Sequence, residues 1–209
     1  LQAVHAGDVD ILVGTQMLAK GHDFRRVTLV AAVNPDTALF SSDFRAPERL
    51  FALLMQAAGR AGRDAEQAAR SEMWVQTWNP RHPLYAALRA HDYEAFAAAQ
   101  LAERRAAGLP PFASLALLRA EARTAEVAEG FLAEASALAE GHDGVTVYPA
   151  VPPHVSKVAD VERLQMLVES PSRVALQRML SAWLPQLDEI RPRHRGLLRW
   201  AVDIDPLAI

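Results

Sequence analysis

The residues of this chain best suited to chemistry lie in one short run, Gln56-Ala57-Ala58-Gly59-Arg60-Ala61-Gly62-Arg63. Continuing the helical stretch before it at ~100° per residue, the run brings Arg49, Gln56, Arg60 and Arg63 into a narrow arc, with Leu50, Leu54, Ala57, Ala58 and Ala61 opposite. One face is core. The other offers guanidinium groups, whose rigid forked donors stay charged and suit a polyphosphate. Gly59 and Gly62 each cost a helix roughly 1 kcal/mol relative to Ala, so their presence points to close backbone approach or to a helix end beside a ligand. The competing reading is an ordinary amphipathic helix with a solvated basic face.

Such a face needs elements to hold it. From Asp10 to about Trp78 short apolar runs alternate with helical stretches: Ile11-Leu12-Val13, then Val27 to Val33, then a helix from about Pro47, then Met73 to Trp78. Continuous apolar strands separated by helices predict a parallel sheet buried on both faces. Residues from about Pro83 to Ala107 predict one or two connector helices, ended by Gly108-Leu109-Pro110-Pro111. The remainder reads strand Ser114 to Ala122, helix Thr124 to Glu140, strand Val145 to Ala150, strand Leu164 to Glu169, helix Pro171 to Leu184 and strand Leu197 to Ile204. That βαββαβ order predicts a ferredoxin-like sandwich. Three regions follow: residues 1–80, part of an α/β lobe; 81–112, a helical connector; and 113–209, a carboxy-terminal α/β domain.

Bulk properties exclude several classes. A formal charge of -3 gives no global attraction to nucleic acid, so any DNA contact must come from local clusters of Arg and Lys. With no cysteine there is neither disulfide nor thiolate zinc site, and the seven histidines show no metal-ligand spacing, so no metal is expected in this stretch. No apolar run approaches the ~18 residues of a membrane span and no signal-peptide pattern opens the chain, which predicts a cytoplasmic protein. A start at Leu1, close to a strand-like run, reads as part of something longer. Trp74, Trp78, Trp183 and Trp200 are expected to fill cores rather than stack on bases.

The Gln56 to Arg63 run resembles motif VI of superfamily-two helicases, Q-x-x-G-R-x-G-R, with a complete match. Upstream, Gly14-Thr15-Gln16-Met17-Leu18-Ala19-Lys20-Gly21-His22-Asp23-Phe24 looks like motif V as found in the primosomal protein N′ (PriA) family. Asp43-Phe44-Arg45-Ala46-Pro47-Glu48-Arg49 resembles that family's lead-in to motif VI. The resemblance extends through Gln76-Thr77-Trp78-Asn79-Pro80, the stretch from Glu103 to Phe112, and Val202-Asp203-Ile204-Asp205-Pro206-Leu207, covering nearly the whole chain.

This resemblance implies the second RecA-like lobe of an ATP-dependent 3′-to-5′ DNA helicase that recognises stalled or branched forks and restarts replication by primosome assembly. Arg63 would be the arginine finger on ATP, Arg60 would stand beside it, and Gln56 would couple nucleotide to lobe position, with Gly59 and Gly62 lining the site. Gly21 and Asp23 would sense nucleotide; Thr15, Gln16 and Lys20 would meet the DNA backbone. Magnesium and the phosphate-binding loop would belong to the first lobe, and zinc to a cysteine-rich module upstream. The implied partners are branched and single-stranded DNA, single-strand-binding protein and other primosome proteins, with Arg173 a candidate for the acidic tail of single-strand-binding protein. Where relatives carry an arginine- and aromatic-rich approach to the third strand of the last domain, this chain has Val158-Ala159-Asp160-Val161-Glu162-Arg163-Leu164, which puts a DNA contact there in doubt. The alternative is an ATPase-deficient scaffold that binds DNA and loads the replicative helicase.

Overall fold

The computed structural model describes residues 8–15, 27–41, 43–59, 61, 71–153, 157–158, 160–207 and 209. The chain divides into two compact units, Leu1–Ala99 and Gln100–Ile209.

In the first unit, strands β1 (Leu29–Val33) and β2 (Glu72–Gln76) pair in parallel, Leu29 opposite Glu72 and Val33 opposite Gln76. Helix α1 (Asp36–Leu39) follows β1, and α2 (Ala46–Ala58) precedes β2. The start of α2 is set by Asp43, whose carboxylate accepts the Arg45 N–H at 2.8 Å and whose carbonyl accepts that of Ala46 at 2.9 Å, and by Pro47, tolerated in the first turn. Leu50, Phe51 and Leu54 point inward and pack with Leu39, Leu84, Tyr85, Leu88 and Phe96. Phe51 and Phe96 stack with ring centroids 4.2 Å apart. The connector stretch forms two helices, α3 (Pro83–Ala90) and α4 (Tyr93–Ala106). His82 caps α3 by accepting the Leu84 N–H at 3.2 Å, and His91, at φ 52°, ends it.

Two expectations for this unit fail. Ile11 to Val13 forms no strand, and Ile11 and Val13 are exposed. An apolar triplet becomes a strand only through a pairing neighbour, and none pairs with it among the described residues. The sheet is also not buried on both faces: Ala32, Met73 and Val75 pack on the helices, while Leu29, Val33 and Trp74 are exposed. A parallel pair is sealed on both sides only when helices cover both faces; here the described helices cover one.

The second unit contains β3 (Ser114–Ala122), α5 (Ala125–Leu138), β4 (Thr146–Val147), β5 (Lys157–Val158), β6 (Val161–Ser170), α6 (Arg173–Ile190), a 3-10 turn and β7 (Leu197–Ile204). Its sheet runs β4-β6-β3-β7, all antiparallel, with β5 forming a hairpin on β6. With the first and third strands of the βαββαβ order at the centre, this is the ferredoxin-like arrangement. Ala116, Leu118 and Ala120 from β3 and Leu164, Met166 and Val168 from β6 form the inner face, roofed by α5 and α6. Trp183 is fully buried there and donates its indole N–H to the Ala135 carbonyl at 2.9 Å.

Three boundaries move by three residues or more, the first being β6, which starts at Val161 rather than Leu164 because β5 pairs with its beginning. The strand expected over Val145 to Ala150 is only Thr146–Val147, because Pro149 lacks the N–H a ladder needs; pairing resumes at the Val151 bridge to Gln165. Helix α6 runs past the expected stop at Leu184 and through Pro185 to Ile190. Burial of Leu187 and Ile190 in the core holds the last turn despite the lost hydrogen bond. Among the described residues no helix is long and apolar enough to cross a membrane, and no cluster of acids and histidines could hold a metal ion.

Candidate functional site

Helix α2 carries the described part of the basic run. Its inner face is locked into the core by Leu50, Phe51 and Leu54, which leaves Gln56 exposed in the last turn. Gly59 is the C-cap, in right-handed geometry at φ -66°, with its N–H on the Met55 carbonyl at 3.1 Å. A Cβ at Gly59 would stand in ordinary contact with the Met55 and Gln56 carbonyl oxygens, at 3.6 and 3.7 Å, so no clash among the described residues demands a glycine at this helix end. Ala61 continues as a turn, its N–H bonded to the Ala58 carbonyl at 3.1 Å.

Arg49 falls on the Gln56 side of α2, yet it does not simply offer its charge to a ligand: its guanidinium is ion-paired with the Asp43 carboxylate. Asp43 is buried and also holds the start of the helix. The pair therefore orients α2, a role that helical periodicity alone does not distinguish from ligand binding.

The other expected site residues are distributed differently. Arg60, Gly62 and Arg63, and likewise Gln16, Lys20, Gly21 and Asp23, lie outside the described residues. Thr15 is exposed in a stretch without regular structure. Arg173 is the first residue of α6, where Ser172 caps the helix, and its guanidinium donates to Asp205 Oδ2 at 2.9 Å. An acidic partner at Arg173 would have to compete with that carboxylate. Asp160, one of the acidic departures noted in the sequence, sits at φ 61° in the β5–β6 hairpin turn, a conformation Asp tolerates. Arg163 of the same stretch pairs with Glu121 across the sheet at 3.2 Å.

A site residue that sequence reading missed is Asp36. Its buried carboxylate accepts the Thr77 hydroxyl at 2.5 Å, the Trp78 N–H at 2.7 Å and the Tyr85 hydroxyl at 3.3 Å. The Thr77 bond, outweighing the opposing cost of burial and aided by Trp78, Tyr85 and Asn79, holds this carboxyl below the usual carboxylate range. Burial pushes the Tyr85 phenol up, keeping it a donor. Asp36 thus ties the carboxyl end of β2 to α1 and α3. No local spacing announces it, since its partners are about forty to fifty residues away. Trp74 and Trp78, expected in a core, are instead 60% and 81% exposed; Trp183 is buried, and Trp200 packs against the core of the second unit.

Residues 1–65 match the helicase conserved C-terminal domain family, and residues 105–207 match the primosomal protein N C-terminal domain. Across 99% of its length the chain is 43% identical to the replication restart protein PriA of Haemophilus influenzae. The chain belongs to the PriA family. It is also 37% identical to the PriA of Treponema pallidum over 100% of its length, and 34% identical to that of Bacillus subtilis over 99%. The chain spans 28%, 31% and 25% of the length of these three PriA relatives respectively. Strand β1 and helix α2 thus fall within the match to the helicase domain while β2 lies just beyond it, and the ferredoxin-like sandwich falls within the match to the PriA C-terminal domain.

Proposed function

We propose that this chain contributes half of a shared ATP site and part of the DNA track of a 3′-to-5′ DNA helicase that recognises stalled or branched forks and restarts replication by primosome assembly. The observation that carries the reading is helix α2: one face is sealed in the core, the other presents exposed Gln56 in its last turn, and the sequence continues as Q-x-x-G-R-x-G-R. The names of the relatives, replication restart protein PriA, support the biological role. Exposure of Gln56 fits a nucleotide approaching that end.

In this reading Arg63 is the arginine finger, Arg60 assists it, Gln56 couples nucleotide to lobe position, and Gly59 and Gly62 let the ligand come close. Gly21 and Asp23 sense nucleotide, while Thr15, Gln16 and Lys20 hold the DNA backbone without reading bases. The phosphate-binding loop, magnesium and a zinc module belong to other parts of the full-length protein. Single-strand-binding protein, met in part by Arg173, and other primosome proteins are its partners, in the cytoplasm at the nucleoid. An arginine finger stabilises charge on the transferring phosphoryl group and is worth ~10³ to 10⁵ in rate. In the intact protein, Arg63→Ala should therefore reduce DNA-stimulated ATP hydrolysis by about that factor, with fork binding nearly unchanged. Normal turnover in the mutant would remove Arg63 from this role.

A further inference from the structure

We propose that Trp78 is a stacking platform for an unpaired nucleic-acid base, mounted at the carboxyl end of the parallel sheet by the Asp36 carboxylate. The proposal rests on the reading of the chain as part of a DNA motor and adds a base-contacting residue outside motifs V and VI.

Three observations converge on Trp78. Its side chain is 81% exposed, and the indole makes no hydrogen bond or ring contact with the described residues. That separates it from Trp183, which is buried, and from Trp74, whose indole N–H donates to Glu72 at 2.7 Å. Second, the backbone beneath it is fixed. Its N–H donates to Asp36 Oδ2 at 2.7 Å, the preceding Thr77 hydroxyl donates to Asp36 Oδ1 at 2.5 Å, and the following Asn79 N–H donates to the Thr77 hydroxyl at 3.0 Å. A large aromatic with two side-chain torsions on an immobile backbone loses little conformational freedom when it takes a ligand. Third, Trp78 lies just beyond the carboxyl end of β2, beside the end of β1, where Asn34 donates its N–H to the Gln76 carbonyl at 3.1 Å. Open parallel sheets bind ligands at that end of their strands.

The surroundings favour a nucleic acid over a protein. Exposed Gln76, Asn79, Pro80 and Arg81 flank Trp78 in sequence, so the ring stands in a predominantly polar stretch. Phe40, one turn beyond Asp36, is a second exposed aromatic, set edge-on to His82. Exposed aromatic rings with a cation beside them are what sequence-tolerant binding of a single strand requires: the rings stack on bases and the guanidinium meets phosphate. Arg81, exposed and three residues further along the chain, is the candidate cation.

The test compares two fluorescein-labelled strands of equal length, oligo(dT) and a strand of abasic residues, binding to the intact protein. Trp78→Ala should weaken oligo(dT) binding by about 5- to 150-fold, leave abasic-strand binding nearly unchanged and keep the melting temperature of the wild type. Trp78→Phe should restore most of the loss. Unchanged oligo(dT) binding in Trp78→Ala, an equal loss on both strands, failure of Phe to rescue, or a marked drop in melting temperature would each overturn the stacking role. The last outcome would mean that another part of the full-length protein covers the ring. A wild-type protein that binds neither strand would instead defeat the DNA-motor reading on which the proposal rests.

Discussion

The strands of both sheets in this chain send successive side chains to alternate faces, yet the two sheets end in opposite states. In the ferredoxin-like unit, α5 and α6 cover the inner face of the sheet, and Ala116, Leu118, Met166 and Val168 are almost wholly removed from water. In the first unit the same alternation along β1 and β2 puts Ala32, Met73 and Val75 against helices but leaves Leu29, Val33 and Trp74 in solvent. Alternation therefore tells which residues share a face and not whether anything covers it. The difference has a functional side. A sealed sandwich supports itself, whereas a sheet with open faces and ends has surface left for ligands or for further chain.

The contrast can be broken most directly at Trp183. Truncation to Ala removes a fully buried ring and its bond to the Ala135 carbonyl, and should cost about 3 to 5 kcal/mol in denaturant unfolding of the second unit. A loss under ~1 kcal/mol would mean that the sandwich core is far looser than its packing implies.

Asp36→Asn should act on the first unit and depend on pH. Because the native carboxyl is held below its ordinary value, its contribution is complete above that value and is lost as pH falls through the lowered one. The mutant should thus be less stable than wild type at neutral pH, with the gap beginning to close as pH falls below about 4 and closing fully only below the lowered native value. Thermal melts at a series of pH values would show this; a gap that widens in acid contradicts the assigned bonding.

The smallest effect belongs to Trp74→Ala, on the open face. It should change the stability of the chain by no more than about 0.5 kcal/mol, against the several expected for the same change at Trp183. Repeating Trp74→Ala in the full-length protein sharpens the comparison: a larger loss there would identify the open face as one covered by the rest of the protein.

Much of the second unit was legible from residue order. The bounds of β3 and β7 agree with the strands expected over Ser114 to Ala122 and Leu197 to Ile204, and the βαββαβ order leads to the observed strand arrangement. Errors arose where a local rule met a tertiary one, as at Pro149, which cut a strand short, and Pro185, which failed to stop a helix because Leu187 and Ile190 are buried beyond it. In the first unit the inward face of α2 followed from its periodicity, but the fate of Arg49 did not. A guanidinium bonded to Asp43 and one awaiting a phosphate have the same place on a helical wheel.

By itself the sequence determined the periodicities, the βαββαβ order of the second unit, and the run from Gln56 to Arg63, because these depend on neighbours within a few residues. The tertiary structure decided which apolar faces are covered, which arginines are already paired, and that Asp36 gathers Thr77, Trp78 and Tyr85 from far along the chain. Burial and pairing depend on what the fold brings alongside a residue, and no local pattern encodes that.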